Sequence, residues 1–379
     1  MSGINKPIYL DYNATTPVDP RVLEAMLPYL RDRFGNPSSG HFYGKEARNA
    51  VESARQKLAQ LLGCDPDEII FTSGGTESNN LVLFGVAKAL EHKGKHIVTT
   101  RIEHPAIIEP CLELLNRGFD VTFVPVNDQG LVDPDDIRKA LRKDSILISV
   151  MHANNEVGTV QPVAEIARIA REREVLFHTD AAQSVGKIPA VVSGLGVDFM
   201  TIAGHKLYAP KGIGALYKRR GAPLEKIIFG AGQERGLRPG TENVSFIVAL
   251  GEAASIAGQE LQEEMVRLSN LRDSLAVRIL EAVPDAVVHG AKAFRLPNTL
   301  SIGFPGKKAD DILRSLTGVA ASAGAACHSH EVRISHVLEA MGVPPEVAMG
   351  TIRLSVGRFT TIEDIDIAAS EIVKVVKRI

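Results

Sequence analysis

An α/β fold, with a mostly parallel sheet in a large domain and a smaller C-terminal α+β domain, follows from three features of this 379-residue sequence. Up to about residue 260, short apolar runs alternate with longer amphipathic ones, the pattern of strands covered by helices on both faces. From about 258 to 283 the pattern is that of one long charged helix, expected to cross between domains. Beyond it, strands and helices mix in a shorter stretch. The expected division is residues 16–260 for the large domain, and 1–15 with 261–379 for the small one, which carries the loop around Cys327.

The elements can be justified in order. Asp19 caps and Pro20 opens a helix, in which Leu23, Met26, Leu27 and Leu30 recur at helical spacing. Residues 69–72 read as a buried strand, followed by a glycine turn and a helix over 81–90. Further strands are expected at 97–100, 121–124 and 146–150. A helix over 164–171 precedes strands at 175–177 and 199–202. In the C-terminal part, strands at 298–304, near Val319 and at 352–356 accompany helices over 309–316 and 362–377.

Composition narrows the function classes. Lys+Arg number 43 against 45 Asp+Glu, a formal net charge of −2, and no long like-charged block occurs. Nucleic acid and anionic membrane surfaces are therefore poor partners. The short polar start reads as no signal peptide, and no apolar run is expected to span a membrane. Three widely separated cysteines suit free thiols in a reducing cytoplasm.

In open α/β sheets, ligands bind beyond the carboxyl ends of the strands, so the residues following each strand carry the functional reading. Ser73-Gly74-Gly75-Thr76-Glu77 supplies glycines and a helix start, suited to an anion but equally to a plain turn. No Lys follows in the nucleoside-triphosphate pattern. Glu103-His104-Pro105 and His152-Ala153-Asn154-Asn155-Glu156 follow two more strands. Asp180, in His178-Thr179-Asp180-Ala181-Ala182-Gln183, suits a cationic partner such as a protonated ring nitrogen, or else the cap of a following helix. Lys206, in Ala203-Gly204-His205-Lys206, sits just past a strand, where burial lowers its pKa and frees its amine. Each signal has a bland alternative. Jointly they describe a phosphate cup, a ring stacker, a ring hydrogen-bond donor, a pyridinium partner and a Schiff-base amine: a pyridoxal 5′-phosphate site.

Among the cysteines, Cys64 reads as a helix end and Cys111 as helical core. Cys327, in Ala325-Ala326-Cys327-His328-Ser329-His330, lies in a small, polar stretch where a thiolate is reachable. Its spacing from His328 and His330 is too compressed for a usual zinc site.

With these residues in view, the sequence resembles the cysteine desulfurases of the NifS/IscS type, in the class-V aminotransferase family, and their relatives the selenocysteine lyases. The resemblance covers nearly the whole chain. It rests on Tyr9-Leu10-Asp11-Tyr12-Asn13-Ala14-Thr15-Thr16-Pro17, Gly35-Asn36-Pro37-Ser38-Ser39, the run 71–80, the stretches 152–158 and 178–183, Gly204-His205-Lys206, Arg238-Pro239-Gly240-Thr241-Glu242-Asn243 and Arg353-Leu354-Ser355. It implies pyridoxal-phosphate transferase fold type I, with Lys206 as the Schiff-base lysine and Asp180 on the pyridine nitrogen. Gln183 and Asn155 then bond the ring-oxygen side, and His104 stacks on the ring and moves protons. Gly75, Thr76 and His205 hold the phosphate, with Thr241 reaching in from the second subunit of a homodimer. Asn36 and Arg353 bind the substrate carboxylate. Cys327 takes sulfur from L-cysteine as a persulfide, alanine leaves, and an acceptor protein receives the sulfur, as in iron–sulfur cluster assembly. Two departures bear on the choice of L-cysteine or L-selenocysteine. Ala203 stands where a serine usually bonds the phosphate, and the residues around Cys327 resemble those of the selenocysteine lyases.

Overall fold

The computed structural model describes residues 6–323 and 334–379. Cys327, His328 and His330 lie outside the described residues. The chain begins with strand β1 (Ile8–Tyr9) and helices α1 (Pro20–Arg31) and α2 (Phe42–Leu62). Asp19 caps α1, accepting from the Arg21 N–H, and Gly63 ends α2 in the left-handed region at φ 66°. Next come β2 (Ile69–Thr72), α3 (Gly75–Leu90), β3 (His96–Thr100), α4 (Pro105–Asn116), β4 (Asp120–Val124), α5 (Pro134–Ala140) and β5 (Ser145–Ser149). The alternation continues through α6 (Val163–Glu172), β6 (Leu176–Asp180), α7 (Val192–Leu195), β7 (Phe199–Ala203) and β8 (Gly214–Lys218). After α8 (Val244–Ala282) come β9 (Val287–Val288), β10 (Thr299–Gly303), α9 (Ala309–Ser315), β11 (Val319–Ala320) and β12 (Ser322–Ala323). The chain closes with α10 (His336–Ala340), α11 (Pro345–Ala348), β13 (Thr351–Ser355) and α12 (Ile362–Arg378).

Seven strands form the main sheet in the order β2-β8-β7-β6-β5-β3-β4. Only β8 runs against its neighbours, so six carboxyl ends share one edge. Alternate side chains serve opposite faces. Ile69, Phe71, Val98 and Ile148 join a core with α1, α2, α6 and the first half of α8, while Ile70, Ile97 and Leu147 join a second core with α3 and α4. A separate core gathers Leu10, the second half of α8, β10, β13 and α12. Here β1 pairs in parallel with β11, and β12-β13-β10-β9 form a four-stranded antiparallel sheet.

Three expectations need correction. The helix expected over 81–90 starts at Gly75, directly at the end of the glycine turn. The long helix begins at Val244, not near 258: its first turns carry apolar and small residues that pack on α1 and α2, without the charge pattern of its second half. It is also long and apolar enough, by length and composition, to cross a membrane, although half of that stretch is buried in the protein.

Candidate active site

The carboxyl ends of the parallel strands open on a cavity of about 410 Å³. It brings together Lys206, Asp180, His104, Asn155, Gln183, His205, Gly75, Thr76 and Arg353. Their positions follow from the turns that end each strand.

Strand β7 stops at Ala203, and a tight turn over Gly204–Lys206 lifts the lysine over the sheet edge. A Cβ on Gly204 would stand 2.8 Å from the Ile213 carbonyl oxygen, so only glycine fits there. Two residues beyond the lysine, Tyr208 adopts φ +64°, a strained value for a bulky residue and one held next to the reactive group. The Lys206 amine donates to the carbonyl oxygens of Asn13 and Ala14, the latter at 2.6 Å. Burial, seconded by the Arg353 cation, pulls its pKa down to about 8, against the opposing pull of Asp11 and Asp180.

Asp180 is the last residue of β6. Its Oδ1 accepts from the Ala182 N–H at 2.9 Å and its Oδ2 from Asn79 Nδ2 at 2.7 Å. A turn follows it, and no described α-helix is capped by it. Because a carboxylate only accepts, Asn79 must offer its NH₂ there, which leaves the buried Asn79 Oδ1 without a partner.

Helix α3 begins at this cavity with no side-chain cap, so its first N–H groups beside Gly75 and Thr76 are available to an anion. Gly74, at φ +152° and ψ −178°, makes a bend that side-chain-bearing residues avoid, and Gly214 of β8 packs against its backbone. His104 caps α4 through Nδ1, which accepts from Ala106 N–H at 3.0 Å. Burial lowers its pKa, so the neutral ring carries its proton on Nε2. Behind it the buried Glu103 is pushed up to about 8 by desolvation, with Oε1 accepting from Thr100 and Met151 and Oε2 unpartnered. His205, lowered to about 4 chiefly by burial, contacts the Thr15 hydroxyl at 3.2 Å. Arg353 of β13 donates to the Asn155 carbonyl at 3.0 Å and to Asp11 at 2.8 Å, and its buried Nε has no partner.

Two expected residues do not line the cavity. Asn36 lies exposed in a turn, its side-chain oxygen accepting from Ser38 N–H at 2.9 Å. Thr241 is exposed, outside the cavity of its own chain. Three residues escaped the sequence reading. Asn79 braces Asp180. Asn13 takes Lys206 and Gln183 on its carbonyl and donates through Nδ2 to the Asn155 carbonyl at 3.1 Å. Lys187 is buried against both Gln183 and Asn13. Their one sequence signal was position: Asn13 lies in the motif 9–17, Asn79 in the run 71–80, and Lys187 four residues beyond Gln183.

Comparison with known proteins gives a consistent picture. The family model Aminotransferase class-V matches residues 8–367. The chain is 48% identical over 378 residues to a protein of Dictyoglomus turgidum named Cysteine desulfurase IscS, covering 99% of this chain and 96% of that protein. It is 45% identical to a Homo sapiens protein named Cysteine desulfurase, covering 99% of this chain and 82% of that one. A solved structure titled NifS-like protein superposes with a TM-score of 0.92 at 40% identity, covering 98% of this chain and all of that one.

Proposed function

The chain belongs to the class-V aminotransferase family, and on that premise we propose that it is a pyridoxal-phosphate-dependent cysteine desulfurase, which takes sulfur from L-cysteine and leaves L-alanine. Likeness to full-length relatives of that name supports the substrate, and the site supports the cofactor. The observation that carries the cofactor reading is Lys206: a part-buried amine just past a strand end, its pKa lowered to about 8, lining one cavity with Asp180.

The residues present fit the cofactor. An uncapped helix start beside Gly75 and Thr76 suits its phosphate, and Ala203 adds no hydroxyl there. Asp180 suits a ring N–H, and the unpartnered Asn79 Oδ1 next to it is a further acceptor on the same wall. The neutral His104 suits a ring face, and Gln183 with Asn155 the ring oxygen. When bound, the cofactor supplies an electron sink for charge developing at the substrate Cα. Lys206 is the anchoring amine and, once freed, the base that takes and returns the proton at Cα. Arg353 offers a guanidinium to the substrate carboxylate. His104, with its proton on Nε2, offers a hydrogen-bond donor toward the substrate. Cys327 is the thiol that receives the sulfur and passes it to an acceptor protein. We place the reaction in the cytoplasm.

We also read residues 16–260 as the cofactor-binding domain and 1–15 with 261–379 as the small domain; separate apolar cores support this. A homodimer, with Thr241 reaching the partner's phosphate, is supported by exposed aromatic side chains. Phe34, Phe42 and Phe229 are each more than 70% exposed, and Phe34 stacks on Tyr43.

The test is product analysis with L-cysteine. With an added thiol reductant to discharge the persulfide, alanine and sulfide in equal amounts are expected, with sulfide lost in Cys327→Ala. An oxo acid in place of alanine would overturn the reading in favour of transamination. Faster turnover of L-selenocysteine, with sulfide release negligible, would convert it to a selenocysteine lyase.

A further inference from the structure

A second buried lysine stands behind the cavity. Lys187 is 7% exposed, and its amine lies 2.9 Å from Gln183 Oε1 and 3.2 Å from Asn13 Oδ1. Among the described residues no carboxylate pairs with it. Burial, seconded by the cations Lys206 and Arg353, lowers its pKa well below the ordinary lysine value. A buried amine with no counter-ion is costly unless hydrogen bonds compensate it, here those to Gln183 and Asn13.

Those bonds fix the polarity of two amides. The Lys187 amine donates to Gln183 Oε1, the orientation that the Asn13 carbonyl, which can only accept, also requires of Gln183 Nε2. That Nε2 donates to the Asn13 carbonyl at 3.0 Å and has one N–H left for the cavity that Gln183 lines. A flipped amide would set Oε1 against the Asn13 carbonyl oxygen, acceptor against acceptor, and would give up the bond that Lys187 donates. Asn13 is oriented in the same way. Its Oδ1 accepts from Lys187 and from Asn298 at 2.9 Å, and its Nδ2 donates to Asn155 and to Thr299 at 2.8 Å.

We propose that Lys187 is a positioning residue that locks the Gln183 side-chain amide, so that an N–H and not a carbonyl meets the phenolic oxygen of the bound cofactor. This rests on the reading of the cavity as the pyridoxal-phosphate site. A donor at that oxygen favours its ionised form, so the lysine-linked chromophore loses its proton at lower pH than it would beside an acceptor.

The experiment is a pH titration of the visible absorbance of purified holoenzyme, with no substrate present. Lys187→Met removes the donor while keeping an unbranched apolar stem. Its midpoint is expected to rise by about one pH unit, the scale of one hydrogen bond to a charged group. Gln183→Leu should shift it similarly, and the double variant no further. Lys187→Gln, which keeps a donor, should stay near the parent value. An unmoved midpoint in Lys187→Met, or one displaced as far in Lys187→Gln, overturns the proposal. If Gln183→Leu leaves the midpoint in place, the Gln183 contact is overturned with it. A parent protein without visible absorbance after loading overturns instead the reading of the cavity.

Discussion

The two ends of the main sheet carry two cavities with opposite characters. At the amino end of β6, residues including Cys64, Arg171, Asp198, Tyr217 and Arg219 line a cavity of about 670 Å³, larger than the one at the carboxyl ends. Yet Asp198 and Cys64 there are settled. Asp198 takes Arg219 Nε at 2.6 Å on one oxygen and the Phe177 N–H at 2.8 Å on the other. Burial, with the nearby carboxylates of Glu68, Asp65 and Asp67, pushes the Cys64 thiol up to about 12, where it is inert. At the carboxyl end, by contrast, Lys206 is tuned to about 8, and Asn79 Oδ1 and Arg353 Nε stand unpartnered. Volume does not separate the two ends; unmet polarity and a shifted amine do.

Perturbing each end in turn tests that contrast. Lys206→Ala should remove the visible absorbance of bound cofactor and lower desulfuration on the order of 10³-fold, the middle of the range for a lost catalytic base. Activity close to the parent's would erase the distinction between the two ends. Asp180→Asn keeps the shape of the carboxylate but not its charge, and roughly a 100-fold loss in kcat is expected, as for a preorganised electrostatic partner. The pH dependence of cofactor capture by the apoprotein follows from the lysine. Only the neutral amine attacks, so the rate should rise about tenfold per pH unit up to a pH of about 8 and flatten above it. A rate still climbing at pH 10 would place Lys206 in an ordinary, solvated setting. Asn79→Ala removes one brace from Asp180 and should cost about tenfold in kcat, the equivalent of one hydrogen bond. Cys64→Ser, at the other end, should leave kcat and KM unchanged.

The contrast also explains what the sequence disclosed. Lys206, Asp180, His104 and Gln183 were legible because a parallel sheet sets its ligand at the carboxyl ends, and those residues follow their strands directly. The groups that hold them were not. Asn79 meets Asp180 across 101 residues and Lys187 meets Asn13 across 174, and no local pattern announces such a pairing. Strand β8 went unread because Gly214–Lys218 is short and emerges from a glycine- and proline-rich run. Asn36 was carried over on a motif alone, and in this chain it stays in its own turn, bonded to Ser38.

Asn13 has a consequence for how the protein is made. Its N–H donates to Ser355, 342 residues away, and Asp11 meets Arg353 across the same separation. The carbonyl oxygens that receive the Lys206 amine therefore hang from a segment whose seat is built by the last strand of the chain. On the ribosome, β1 has nothing to pair with until β11 has emerged, and the Asn13 N–H and Asp11 lack their Ser355 and Arg353 partners until β13 follows. The reactive lysine is synthesised midway and seated near the end, so that a nascent chain holds its nucleophile unfinished while the rest of it is still being translated.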